Sequence, residues 1–289
     1  MGYVIFRGVG TEGSGSLVGN VNVLSDVYVS KMPSHRKAAM RFSEYYVVGR
    51  DGALHVNEGL SNYEMTIMLV LINAGADKKY LVNAWADGTG KLISSDDPTK
   101  CYKATVLEEV QWQRVKAHSI VAPFSSTTSY VSGDIVLYEG NVYRFTASHS
   151  GAWNSAHATI IAIPNGFFDT ATIVFSCQPC MYETVDTVVE FTQSGTIVNP
   201  GSAEAYPLVK IEGSGSVTVT IAGSQIKLTG VTAGTPVYVD CENGYVYTEG
   251  GATTMKGDMP VLPIGLTPID VTLGTNATRV TLTPHWRWV

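Results

Sequence analysis

Cysteine is scarce: Cys101, Cys177, Cys180 and Cys241 are the only four in 289 residues. Only "CQPC" (177–180) has metal or redox spacing, and a structural zinc site pairs two such knuckles. A redox Cys-x-x-Cys opens a helix after a strand, whereas "ATIVFSCQPC" runs as a strand into a proline. These four read as ordinary buried or edge thiols, and no metal or cofactor is expected. Basic clusters are missing too. The net charge is −6, and Lys78–Lys79 and Arg36–Lys37 are isolated pairs. That argues against a nucleic-acid-binding face, which needs cations to neutralise phosphate. No run approaches the roughly 18 apolar residues of a membrane helix. "MGYVIFRGVG" has no signal-peptide core, and Phe6 stands where myristoylation wants Ser or Thr. The expectation is a soluble product made in the cytoplasm, with no membrane partner.

Catalytic patterns are equally sparse. The six histidines (35, 55, 118, 149, 157, 285) form no H-E-x-x-H and no i,i+4 pair on a helix. His149 and His157 flank Trp153, but no further ligands for a metal are evident. "SSDDP" (94–98) places two carboxylates beside Ser and Pro, which is most simply a turn. "GVGTEG" (8–13) matches G-x-G-x-x-G literally, but the Gly- and Ser-rich residues after it cannot sustain the helix that would meet a phosphate. "GSGS" (13–16 and 213–216) does not match a nucleophile elbow. No nucleophile, base and oxyanion hole come together, so the chain is not expected to be an enzyme.

Strand signals are abundant. "YVIFRG", "GSLVGNV" and "DVYVSKM" read as short strands. "FSEYYVVGRDGALHV" reads as two strands joined by a tight "GRDG" turn, and "YEMTIMLVLI" as a buried strand. One helix is expected in "DKKYLVNAWADGTG" (77–90), capped by Asp77 and ended by Gly88, with Tyr80, Leu81, Ala84 and Trp85 on one face. "CYKATVLEEVQWQRV" returns to strands. From 185 onward the chain reads as all β. Val217, Val219 and Ile221 share one face of a hairpin, Asn243-Gly244 turns a second, and "TRVTLTPHWRWV" closes as a last strand. The spacing suggests a β-sandwich.

Residues 117–165 interrupt this order. Loop-like segments rich in Pro, Ser, Thr and Gly flank "SYVSGDIVLYEGNVYRF" (129–145), which reads as an alternation of apolar and polar residues. After it, "TATIVFSCQPCMYE" resumes a strand, so 117–165 reads as an insertion in a loop, where extra length costs little. Tyr130, Tyr138, Tyr143, Phe145 and Trp153 gather in this small unit. The residues alone leave two readings open. The rings form the core of a very small domain, or some stand exposed and stack on sugar C–H faces, Trp153 above all, with Asn or His bonding hydroxyls.

Two resemblances follow. "VVGRDGALHV" (47–56), "AWADGTGKLISSDDPTKCYKATV" (84–106), "VFSCQPCMY" (174–182), "SGTIVNPGSAEAYPLVKIEGSGSVTVTI" (194–221), "VYVDCENGYVY" (237–247), "GDMPVLPIG" (257–265) and "TPHWRWV" (283–289) together resemble the distal tail proteins of long-tailed phages of Gram-positive bacteria. Leu266 departs from the Asn usual there, and Cys101 from an aromatic. The resemblance implies a mainly β protein. An N-terminal β domain with one helix (1–116 plus 166–184) would close into a hexameric ring, and a galectin-like sandwich (185–289) would face outward. The hub would sit at the virion tail tip. It would join the tail tube protein to the tail-associated lysin or tail-tip protein and to receptor-binding proteins, with DNA only passing through. A galectin-like fold does not itself imply sugar binding. Separately, Tyr130, Gly133, Asp134, Val136, Tyr138, Gly140 and Tyr143, followed by Trp153, resemble small chitin-type carbohydrate-binding modules. That implies a host-wall glycan as partner, bound by Trp153, Tyr143, Tyr138 and Tyr130, with avidity gained from several copies. The alternative is a free carbohydrate-binding protein with no hub role.

Overall fold

The computed structural model describes residues 2–11, 22–33, 37–49, 51–72, 76–116, 119–161, 163, 167–249 and 253–289. The strand read in "GSLVGNV" lies outside them. The protein is mainly β and divides into two units, Met1–Pro179 and Cys180–Val289. No helix among the described residues is long and apolar enough to cross a membrane.

In the first unit the strands are β1 (Val4–Phe6), β2 (Val9–Thr11), β3 (Asn22–Leu24), β4 (Val27–Lys31), β5 (Met40–Tyr46), β6 (Ala53–Leu60) and β7 (Tyr63–Leu71). After the helix α1 (Ala76–Trp85) come β8 (Thr89–Ser94), β9 (Lys100–Val106), β10 (Gln111–Lys116), β11 (Ile135–Tyr138), β12 (Asn141–Phe145), β13 (Ala158–Ile160) and β14 (Phe167–Glu183). The main sheet has the order β3-β2-β1-β8-β9-β14-β7-β4, with β10 also on β14. Its core is the apolar face of these strands: Phe6, Ile67, Leu69, Ile173 and Phe175 are all fully buried.

Helix α1 forms where one was expected, but Asp77 lies in its first turn rather than before it, it ends at Trp85 rather than at Gly88, and of the expected face only Trp85 is buried. Tyr80 and Leu81 are 71% and 57% exposed, and Ala84 is exposed; Val82, Trp85 and Ala86 are buried. Trp85 decides the orientation. Its Nε1 donates to the Val9 carbonyl at 2.8 Å, and its ring meets Phe6 edge-on at 6.0 Å. The buried side is then centred on Val82, one turn before Trp85, and Leu81 and Ala84 fall towards solvent. Lys78 and Lys79 lay half-buried stems on this side and reach Asp26 and Asp169 with their ammonium groups.

Between β10 and β14, whose last and first residues Lys116 and Phe167 pair directly, the chain leaves to make β11, β12 and β13, a separate three-stranded sheet. The β11–β12 turn takes positive φ at both Glu139 (48°) and Gly140 (79°), a turn that matches strand twist.

The second unit is a sandwich of two five-stranded sheets. Its strands are β15 (Val189–Phe191), β16 (Gly195–Asn199), β17 (Leu208–Gly213), β18 (Gly215–Ile221), β19 (Ser224–Val231), β20 (Val237–Asp240), β21 (Tyr245–Thr248), β22 (Thr254–Lys256), β23 (Gly265–Leu273), β24 (Ala277–Thr283) and β25 (Arg287–Trp288). One sheet runs β15-β24-β17-β20-β21 and the other β16-β23-β18-β19-β22. Val217, Val219 and Ile221 point inward with Val209, Ile211, Val280 and Leu282. The closing stretch is two pieces rather than one strand. The chain breaks after Thr283, His285 takes a left-handed φ of 53°, and Trp286 drops into the core. Arg287–Trp288 then pairs with Met181–Tyr182.

Candidate functional site

The small sheet β11–β13 does not alternate between apolar and polar sides. Ile135, Leu137 and Val142 face the body of the first unit, while Val136, Tyr143 and Phe145 face the opposite way. Strand residues alternate faces strictly, so consecutive apolar residues in "IVLY" and "NVYRF" mean that both faces are covered. On the body side, Val142 and Ile161 pack with Tyr28, Val70, Ile72 and Phe168. Arg144, on the same side, places its Nη2 3.1 Å from Asp26 Oδ1 and its guanidinium 5.3 Å from the Tyr28 ring centre. Asp26 also accepts from Lys78 of α1. Burial alone would raise the Asp26 carboxyl, but the hydrogen bonds and charges of Lys78 and Arg144 outweigh it and hold it below its ordinary range.

The other face makes a small aromatic core. Tyr130 is buried, stacked at 4.7 Å on Phe145 and at 5.4 Å on Phe124, and its hydroxyl accepts from the Ser125 N–H at 2.8 Å. Gly133 and Asp134 shape the turn: the Gly133 N–H donates to the Phe145 carbonyl at 2.7 Å, and Asp134 Oδ2 accepts from the Val131 N–H at 2.9 Å. Trp153 is half-buried rather than standing free. Its ring stacks on Tyr138 at 4.1 Å, with Tyr143 edge-on at 4.8 Å. Tyr138, Tyr143 and Trp153 therefore form one half-exposed nest, while Tyr130 lies beneath it in the core. Asn154 caps the following turn, its Oδ1 accepting from the Ala156 N–H at 3.0 Å. His149 is buried, stacked on Phe145, with its Nδ1 3.2 Å from His157 Nδ1, so the two rings share a hydrogen. Among the described residues, no three His, Cys, Asp or Glu side chains come together to hold a metal.

The cysteines are sheltered. Cys177 and Cys180 are both buried, at 0% and 1% exposure. Burial pushes the Cys177 and Cys241 thiols up to about 12, far from reactive thiolates. Asp97 of "SSDDP" serves a turn, accepting from the Thr99 N–H at 3.2 Å and pairing with Lys100 at 2.7 Å.

Two surfaces escaped the sequence reading. The first is the β5–β6 hairpin, whose two strands pair only with each other among the described residues. Phe42 and Tyr46 on one side and Tyr45, Leu54 and Val56 on the other are all exposed, Tyr46 at 78%, and Val48 at the turn is fully exposed. Its sequence signal was the string of large apolar residues at successive positions. The second is an aromatic ladder on the outer face of the β15–β21 sheet. Tyr238 stacks on Tyr247 at 4.9 Å with planes 9° apart, and Tyr245 follows at 5.6 Å. Its signal was the period-2 repeat of tyrosine in "YVD" and "YVY".

No protein family matches the chain, and no curated protein matches it by sequence. A solved structure does match across all of both chains, with a TM-score of 0.62 at 13% identity. It is the Dit protein of phage SPP1, described as a paradigm of the hub adsorption apparatus of phages that infect Gram-positive bacteria. The chain shares the fold of that hub protein from its first residue to its last.

Proposed function

We propose that this chain is a distal tail protein: a non-catalytic virion component that closes into a hexameric ring at the tail tip. In this reading, 1–116 plus 166–184 form the ring, 185–289 form an outward galectin-like sandwich, and 117–165 is an inserted module. The ring joins the tail tube protein to the tail-associated lysin or tail-tip protein and to receptor-binding proteins, and DNA only passes through it. The observation that carries this is the end-to-end likeness to a phage hub protein. The β5–β6 hairpin supports self-association. A two-stranded hairpin is marginal in water on its own, and an exposed apolar patch of this kind marks an interface. A symmetric ring supplies a repeated partner surface for it.

Negative-stain microscopy and light scattering on the purified chain test the proposal. The expected result is a six-fold ring of six 31.0 kDa copies, about 186 kDa. A 31.0 kDa monomer at every concentration, with the tail tube protein also present, overturns it.

We further propose that the Trp153–Tyr138–Tyr143 nest binds a host-wall glycan, with Tyr130 as its structural floor. Pull-down on host walls should fall in Trp153→Ala and hold in Tyr130→Phe. Wall binding by a monomer that never enters virions would instead favour a free carbohydrate-binding protein.

A further inference from the structure

The rings most open to solvent among the tyrosines and tryptophans of the two ring clusters are not in the inserted sheet. Tyr245 is 50% and Tyr247 41% exposed, both on the edge strand β21 of the sandwich. Strand register lines their neighbours up across the whole sheet. Glu190 pairs with Thr281, Thr281 with Lys210, Lys210 with Tyr238, and Tyr238 with Tyr247. One row therefore crosses five strands, roughly 19 Å at the usual strand spacing. Beside it, Arg279 pairs with Glu212 in the next row. Val209, Ile211, Val237, Val239, Val280 and Leu282 on the same strands point into the core, so this row is the outward face.

Both cations of these rows are paired in place. Lys210 Nζ lies 2.9 Å from Glu212 Oε1, and Arg279 Nε lies 3.4 Å from Glu190 Oε1 and 4.0 Å from Glu212 Oε2. The hydrogen bond between them raises the Lys210 ammonium and lowers the Glu212 carboxyl, so both stay charged at neutral pH. Lys210 and Arg279 face Glu190 and Glu212, and Asp240, paired with Tyr245 on the same face, adds a third carboxylate, which leaves no net attraction for a polyanion. What remains is a line of strong donors and acceptors beside flat amphipathic rings. A chain of neutral sugars matches both parts, with C–H faces on the tyrosines and hydroxyls bridging the ammonium and carboxylate groups.

We propose that the outer face of the β15–β21 sheet, centred on Tyr247, Tyr238 and Lys210, is a binding surface for a neutral, extended oligosaccharide. Its residues belong to the second unit, and the Trp153 nest to the first.

Titration calorimetry on the full chain tests it, with gluco- and galacto-oligosaccharides of about six hexoses as probes and polyglycerol phosphate as the anionic arm. The expected result, in a Trp153→Ala background that silences the nest, is binding of a neutral oligosaccharide that weakens about tenfold or more when Tyr247→Ala is added and persists when Tyr247→Phe is added. Circular dichroism checks that Tyr247→Ala stays folded, and Tyr245→Ala serves as a second variant. Three outcomes overturn the proposal: no binding of either neutral probe at millimolar concentration, preference for polyglycerol phosphate, or binding that is lost in Trp153→Ala yet untouched by Tyr247→Ala. The last outcome would leave the Trp153 reading standing.

Discussion

Two small antiparallel units in the first unit begin from the same condition and end differently. The β11–β13 sheet and the β5–β6 hairpin each carry large apolar side chains on both faces. The inserted sheet covers one face with its own Phe124, Tyr130 and Trp153 and the other with Tyr28, Val70, Ile72 and Phe168. The β5–β6 hairpin covers neither. Burial of apolar area drives both folding and association, so an uncovered double face calls for a surface that the described residues do not supply. The comparison separates an element covered on both faces from one that the described residues leave open on both.

Charge on the hairpin should break the comparison most visibly. Phe42→Asp with Tyr46→Asp is expected to convert rings to 31.0 kDa monomers in light scattering while the thermal unfolding of the monomer barely moves. Retention of the ring would mean that the hairpin is not the interface.

Within the inserted sheet, Phe145→Ala removes a fully buried ring and should cost about 3–5 kcal/mol. Limited proteolysis should then cut within 119–163 while the sandwich stays intact. Equal resistance in the variant would show that the aromatic core does not hold this sheet.

Docking through Asp26 should show a smaller effect with a definite pH sense. Its folded carboxyl is held below the ordinary value of 3.8, so its contribution is present above that value and is lost as pH falls through the depressed one. Amide hydrogen exchange in β12 should be steady from neutral pH down to about 4 and should quicken below it, after correction for intrinsic rates. Asp26→Asn should quicken it at neutral pH to about the rate the unaltered chain reaches in acid and remove the acid step, since the amide no longer pairs with two cations. An unchanged acid step in Asp26→Asn would assign it to another group.

Tyr130→Phe should give the smallest change. It removes the hydroxyl that accepts from the Ser125 N–H, worth about 1 kcal/mol, and leaves the ring stack in place. A small drop in melting temperature with unchanged wall binding is expected. Loss of wall binding would move Tyr130 from the floor of the nest into its contact surface.

Local chemistry made much of the fold legible. The β character, helix α1, the turn between β5 and β6 and the Asn243-Gly244 hairpin follow from two-residue periodicity, helical spacing and the positive φ that glycine accepts; Gly49, Gly52 and Gly244 all adopt it. The aromatic cluster around Trp153 was also visible, because its members are close in sequence. Tertiary contacts decided the rest. Which side of α1 is buried depends on Val9, 76 residues away from Trp85, and the docking of the inserted sheet depends on Asp26, 118 residues from Arg144. Tyr130 sits in a core and Tyr247 stands on an open face because cross-strand register, not composition, assigns each ring its side. Short-range periodicity names the element, but only long-range pairing decides which faces are left for a partner.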